Sequence, residues 1–160
     1  MALDQFLKLA GIDGESKDDA HADEIDVLAW SWGASQSGSF HVGAGGGSGK
    51  ANFQDLSVTK YIDKATTPIL KSVADGSHID EAVLTVRKAG GTPVEYLIIT
   101  MKKCMITSYS TGGSGGEDLL TENFTINFAN VEIKYTPQKD DGSPDAQKKF
   151  GWNIEKNVKL

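Results

Sequence analysis

The glycine run "HVGAGGGSGKA", His41 to Ala51, is the stretch whose residue types and spacing most directly propose chemistry, because a run closing on Gly-Lys is the form of a phosphate-binding loop. Such a loop needs glycine, four residues, then Gly-Lys-Ser/Thr: its amides cradle phosphate, its lysine reaches the terminal phosphates and its hydroxyl holds magnesium. Aligned on Gly49-Lys50, the first glycine position holds Ala44 and the hydroxyl position holds Ala51, so the magnesium ligand is missing. The residues that follow, "ANFQDLSV", read as a strand and not as the helix whose N-terminal amides would receive a phosphate. The run is therefore expected to be a mobile Gly/Ser loop, not a nucleotide site. A second run, "STGGSGGED", has no Gly-Lys-Ser/Thr and reads as another flexible connection. Loops this rich in glycine are entropically expensive to order, which hints that they become ordered against a partner.

Other catalytic constellations are missing. His21, His41 and His78 fall in expected loops without metal-ligand spacing, and are read as solvated; no metal or cofactor is expected. No Gly-x-Ser-x-Gly elbow supports a serine nucleophile. Asp18-Asp19 and Asp140-Asp141 lie in polar turns, where solvated charge is the simpler reading. Cys104, the only cysteine, excludes an intrachain disulfide, fits a reducing cytosol and reads as a small buried hydrophobe. No catalytic residue is assigned, and the chain is not expected to be an enzyme.

Composition narrows the partners. The 160 residues fit one domain spanning 1–160, and a domain of that size hides roughly 70% of its unfolded surface. With 22 acidic and 16 basic residues the net charge is -6, the wrong sign for gripping nucleic acid. Asp4 and Lys8 interrupt the apolar residues at the N-terminus, so no cleaved signal peptide is expected. The run Tyr96 to Met101 is far too short to cross a bilayer, so no membrane insertion is expected.

Strand-like alternation positions whatever these residues do. In "EIDVLAWSWG" Ile25, Val27, Ala29 and Ser31 share a small face, while Leu28, Trp30 and Trp32 share a bulky one expected to enter the core. Further strands are read in "DLSVTKYI", "EAVLTVRK", "EYLIITMKKCMITSYS", "ENFTINFANVEIKYTP" and "GWNIEKNV". The apolar parity of "NFTINFANVEIKY" switches between Phe128 and Val131, which predicts a bulge near Ala129 and Asn130. One helix is predicted at about 66–75: Thr67 as cap, Pro68 in the first turn, an apolar stripe of Ile69, Leu70, Val73 and Ala74, and Gly76 as terminator. "RKAGGTPVEY" predicts a hairpin and "DDGSPD" a turn. No internal repeat is present, and many short strands with one helix argue for a barrel or sandwich.

In order and spacing, "MALDQFLKLAGIDGESKDDAHADEIDVLAWSWG", "DLSVTKYIDKATTPILKSVADGSHI", "RKAGGTPVEYLIITMK" and "FANVEIKYTPQKDDG" resemble the haemolysin-coregulated protein (Hcp) family over nearly the whole chain. The resemblance implies a mainly β fold, a compact β-barrel of two antiparallel sheets flanked by the short helix. It implies homo-hexameric rings, stacked as the inner tube of a type VI secretion system. Their implied partners are a tip spike protein, a contractile sheath and secreted effector proteins in the lumen. It also implies a cytoplasmic location before firing and secretion without a signal peptide afterwards. In the family the loop after the "WSWG" strand projects from the ring, so Gly43, Ala44, Gly45, Gly46, Gly47, Ser48, Gly49 and Lys50 become the ring-stacking loop, although that loop varies within the family. Ala29 and Ser31, on the small face, become the lumen and cargo contact. The rival reading is a monomeric carbohydrate- or lipid-binding barrel with its tryptophans lining an internal cavity.

Overall fold

The computed structural model describes residues 3–38, 50–89 and 93–160. The elements are β1 (Leu3–Leu9), β2 (Ile25–Asp26), β3 (Ala29–Ser31), β4 (Ala34–Gln36), β5 (Ala51–Phe53), β6 (Leu56–Tyr61), α1 (Thr66–Asp75), β7 (His78–Lys88), β8 (Val94–Gly112), β9 (Thr121–Tyr135), β10 (Lys148–Asn153) and β11 (Val158–Lys159). All strand pairs are antiparallel. Pairing runs β11-β10-β9-β8-β7-β1-β2, while β6 joins β9 to β3 and β4 pairs with β5 in a separate ribbon.

That pairing closes a circuit. β2 lies on β1 and β3 lies on β6, and the chain carries one directly into the other through Val27 and Leu28. The Val27 amide donates to Gln5 O at 3.0 Å and the Leu28 amide to Thr59 O at 2.9 Å, one neighbour on each side. Closing a sheet this way removes most of its exposed edge. Inside lie Leu7, Ile25, Leu56, Val58, Leu84, Met101, Phe124, Ile126 and Val131, all fully buried.

The closure corrects the expected reading of "EIDVLAWSWG". The segment is two short strands, and its facing shifts by one residue at the junction: Ile25 and Val27 are buried, Leu28 is 42% exposed, and Trp30 and Trp32 then pack against the core. Crossing from one neighbour strand to the other requires the extra residue, as in a bulge. A similar step runs across the sheet. Inward positions pass from Ile79 to Ala82 on β7, from Met101 to Cys104 on β8 and from Phe128 to Val131 on β9, skipping two residues each time. The flanking registers align Asp80, Lys103 and Ala129 on one line where the strand pairing lapses, and Lys103 adopts φ 55. The parity switch expected at Ala129 and Asn130 is present, but not as a register-shifting bulge there; the shifts lie between Val86 and Arg87 and between Ile106 and Ser108.

The helix occupies the predicted span and ends at Gly76, whose φ of 67 is left-handed and suits glycine. Its start and its face differ from expectation. Ala65, not Thr67, is the cap residue, and the Asp63 carboxylate accepts the Ala65 amide at 2.9 Å. Ile69 and Val73 turn to the core with Thr66 and Ser72, whereas Leu70 and Ala74 face outward. Pro68, in the first turn, has no amide to lose there.

Two polar clusters fasten this frame. Lys60 and Glu122 face each other across β6 and β9, both fully buried at the side chain, and form an ion pair. The Lys60 ammonium also donates to Asp63 Oδ1 at 2.7 Å and Tyr61 O at 2.9 Å, which employs all three of its protons. Glu122 further accepts from Thr66 Oγ1 at 2.8 Å and the Tyr109 hydroxyl at 2.5 Å, so β6, β8, β9 and α1 converge on one carboxylate. Burial, then the Glu122 contact, pushes the Tyr109 phenol up to about 12.

The second cluster pins residues 11–24. Arg87 donates through both terminal nitrogens to Asp18, at 3.0 and 2.7 Å, and reaches Asp4 at 3.1 Å. His21, expected to be solvated, is buried: it stacks on Phe6 at 4.5 Å and bridges Glu24 at 3.0 Å to Glu95 at 2.7 Å. Burial works against its charge, but the two carboxylates prevail and raise its pKa above the usual 6.5. Gly14 is required here, because a Cβ would collide with the backbone of Glu24. Cys104 is buried as expected, and burial pushes its thiol up to about 11.

Removing one member of the buried pair strands the other in a dry site, which typically costs about 3–5 kcal/mol. Lys60→Met and Glu122→Gln should each lower the urea midpoint accordingly, and the double variant should lose less than the sum of the two. Additive losses would show that the two groups do not depend on each other. His21 gives a pH signature. A raised folded pKa adds stability that is full below about 6.5, the unfolded value, and is lost as pH rises through the folded one. Unfolding midpoints measured through that window should decline for the native chain, and His21→Gln should flatten the decline.

Candidate functional site

The site is built on the outer surface of the closed sheet, on the side strands β3, β6, β9 and β8 share. Register fixes which side chains stand together. Ser31 is opposite Ser57, Ser57 opposite Thr125, and Thr125 opposite Ser108; Ala29 is opposite Thr59, Thr59 opposite Asn123, and Asn123 opposite Ser110. Between these rows Val58 and Phe124 point inward and are fully buried. The outward surface is thus a four-strand carpet of small hydroxyl and amide side chains carrying no formal charge.

The carpet is bonded to itself. Asn123 Nδ2 donates to Ser57 Oγ at 3.0 Å and Thr59 Oγ1 at 3.1 Å, and the hydroxyls of Ser108 and Thr107 lie 2.6 and 2.7 Å from Thr125 Oγ1. Asp55 closes one margin, accepting from Thr107 Oγ1 at 2.7 Å and Asn127 Nδ2 at 2.8 Å. Behind it, Gln5 locks the indole of Trp30 through a 2.8 Å bond to its Nε1, and Trp32 donates to Gln54 O at 2.8 Å while stacking on Phe53 at 5.9 Å. The tryptophans therefore act as the stiff backing that turns Ala29 and Ser31 outward.

Ala29 and Ser31 are both exposed and stand in this carpet. Ser57, Thr59, Ser108, Ser110, Asn123 and Thr125 were not singled out from sequence, although the alternation in "LSVTK" and "ENFTIN" already places small polar residues opposite apolar ones. Of the expected ring-stacking loop, Gly43, Ala44, Gly45, Gly46, Gly47, Ser48 and Gly49 lie outside the described residues, and Lys50 is exposed. Ala51, immediately after Lys50, begins β5, which pairs with β4; no helix follows the glycine run to complete a phosphate cradle. Among the described residues no group of three or more His, Cys, Asp or Glu side chains could hold a metal ion, and no helix is long and apolar enough to cross a membrane.

The order of these strands and the motifs they carry can be compared with known proteins. A family model described as type VI secretion system effector, Hcp, matches residues 6–135. The chain belongs to the Hcp family. Protein hcp1 of Pseudomonas aeruginosa is 60% identical to it over 160 residues, 99% of each chain. A solved structure described as a type six secretion system protein superposes with a TM-score of 0.94 at 30% identity, over 99% of this chain and 100% of its own. Hcp1 from Salmonella typhimurium superposes with a TM-score of 0.83 at 35% identity over the whole of both chains. The family blocks acquire physical roles: "TKYIDKATTPIL" supplies the buried lysine and the helix start, and "GIDGES" supplies the glycine that lets residues 11–24 lie against β2.

Because Ser31 is exposed and bonded to no core group, Ser31→Tyr should leave the unfolding midpoint within about 0.5 kcal/mol of the parent, as for ordinary surface changes. A drop of the size that overpacking produces, about 1–3 kcal/mol, would place Ser31 in a packed environment instead.

Proposed function

We propose that the chain is a structural subunit of a type VI secretion inner tube: it assembles into hexameric rings, the rings stack, and the tube carries effector proteins in its lumen. The observation that carries this reading is the uncharged carpet around Ser31 in a chain of the Hcp family. A conduit wall must let varied protein surfaces pass, and small, mutually bonded hydroxyls offer neither a charge to trap them nor an apolar patch to hold them. In this reading Ala29 and Ser31 face the lumen, together with Ser57, Thr59, Asn123 and Thr125. Residues 43–50 contact the next ring, and a contractile sheath drives the tube, tipped by a spike protein, out of the cytoplasm without a signal peptide. The work is mechanical, and no catalytic residue is assigned.

The monomeric sugar- or lipid-binding alternative is less well supported. Trp30 and Trp32 pack against the core, and the barrel interior is filled by side chains such as Phe124, Leu84 and Met101.

Light scattering at known concentration should give a mass about six times 17.1 kDa, and a persistent monomer would sink the ring reading. Ser31→Tyr should retain that mass while co-purification of a lumen-bound effector falls, because six new rings of atoms project into the bore. Unchanged retention would move the cargo surface elsewhere. Shortening residues 43–49 should leave the ring mass intact and yield shorter tubes in electron micrographs.

A further inference from the structure

His21 is held in a site that suits its charged form alone. Its Nδ1 lies 3.0 Å from both carboxylate oxygens of Glu24, and its Nε2 lies 2.7 Å from Glu95 Oε1. A neutral imidazole has one N–H and one bare nitrogen, and a carboxylate can only accept. Unless the ring carries its second proton, one of the two contacts sets a lone pair against an anion. The imidazolium donates to both. Because the ring is buried and stacked on Phe6, a nitrogen that loses its carboxylate finds little water in exchange.

The two carboxylates differ in attachment. Glu24 lies three residues along the same loop and its side chain is 15% exposed, whereas Glu95 reaches across from β8 and is 39% exposed. Glu95 is therefore the partner that leaves a neutral ring, since solvent can take up its charge. With it goes the tie between the strap of residues 11–24 and β8. Two other ties, Arg87 to Asp18 at 2.7 Å and Glu15 to the Lys64 amide at 2.8 Å, hold the 15–18 portion of the strap. The turn beyond it borders open space: a cleft of about 350 Å³ is bounded by residues 8–13 on β1 and its continuation and, from the turn, by Asp19, Ala20, Ala22, Asp23 and Glu24.

We propose that His21 is a pH-operated latch: protonated, it clamps the turn of residues 18–24 to β8 through Glu95; deprotonated, it lets that turn move over the cleft. The other charged groups of the cluster are Asp4 on β1, Asp26 on β2, Arg87 on β7, Glu95 on β8, and Asp18 and Glu24 on the strap. All but Arg87 are carboxylic acids, so His21 is the member whose ordinary pKa, about 6.5, lies in the neutral range. Burial opposes its charge, but Glu24 and Glu95 prevail and hold the folded pKa above 6.5. The latch is thus shut below 6.5 and opens as pH rises through the folded value. It belongs to the single subunit and does not depend on the ring reading.

Amide hydrogen exchange of the native chain, followed from mildly acid to mildly alkaline pH and corrected for the intrinsic rate at each pH, tests the latch. The opening constant of residues 18–24 should rise about tenfold for each unit by which the folded pKa of His21 stands above 6.5, while β7 and β9 stay protected. Glu95→Gln presents an amide that can donate to a bare nitrogen or accept from an N–H, so it should hold the neutral ring as well as the charged one. In that variant the NMR titration of the His21 ring should move to lower pH, and exchange in 18–24 should lose most of its pH dependence, with circular dichroism like that of the parent. Opening of 18–24 that does not change with pH in the native chain would overturn the latch. So would loss of protection in β7 and β9 in step with the turn, or a His21 titration that Glu95→Gln leaves where it was.

Discussion

Everything in this fold is arranged around an ion pair that water does not reach. An ammonium and a carboxylate transferred together into an apolar barrel lose several kcal/mol of hydration each, and their attraction offsets that loss only when their remaining protons and lone pairs are also satisfied. Lys60 and Glu122 meet that condition by drawing in an aspartate just ahead of the helix, a helix hydroxyl, a backbone carbonyl and a tyrosine from a third strand. The pairing of β6 with β9, the position of α1 and the reach of β8 are thereby fixed relative to one another. An alternative register of β6 on β9 would separate the two charges, so the pair also selects the alignment that brings Ser57 and Thr59 into one surface with Asn123 and Thr125.

The line through Asp80, Lys103 and Ala129 solves a different problem. A strand as long as β8 or β9 cannot keep one face on a compact core along its whole length, because the sheet twists away from it. By exchanging inside for outside once, in step across three strands, the sheet serves one core along its first part and turns its polar side to a new direction along the rest. The carpet on β6, β8 and β9 lies on one side of that line, and a groove beside Asn130 lies on the other. One sheet thus presents two differently aimed surfaces.

Much of this was legible in the chain. Period-two alternation exposed β6 to β9, the Pro68 to Gly76 span exposed the helix, and the parity switch at Phe128 located the bend. The misreadings have a common cause: they concern residues whose facing depends on a distant partner. Leu28 turns outward because the segment leaves β1 for β6 there, which no local pattern records. Leu70 lost its place in the helix stripe to Ser72, whose hydroxyl is satisfied by Pro68 O and so tolerates burial. His21 looked solvated because Phe6 and Glu95, which bury it, are remote in sequence. The carpet escaped notice for the same reason: serine and threonine are ordinary on any single strand, and only the pairing of four strands makes them a surface.

Cys104 has a consequence for a protein of a secreted family. The residue is 1% exposed, and burial pushes its thiol up to about 11, so the reactive anion is scarce at neutral pH. Disulfide exchange begins with that anion and needs access to the sulfur, and both are denied. Cys104 in the folded subunit is consequently closed to disulfide exchange in reducing and oxidising surroundings alike, and gives the subunit no covalent link to its neighbours.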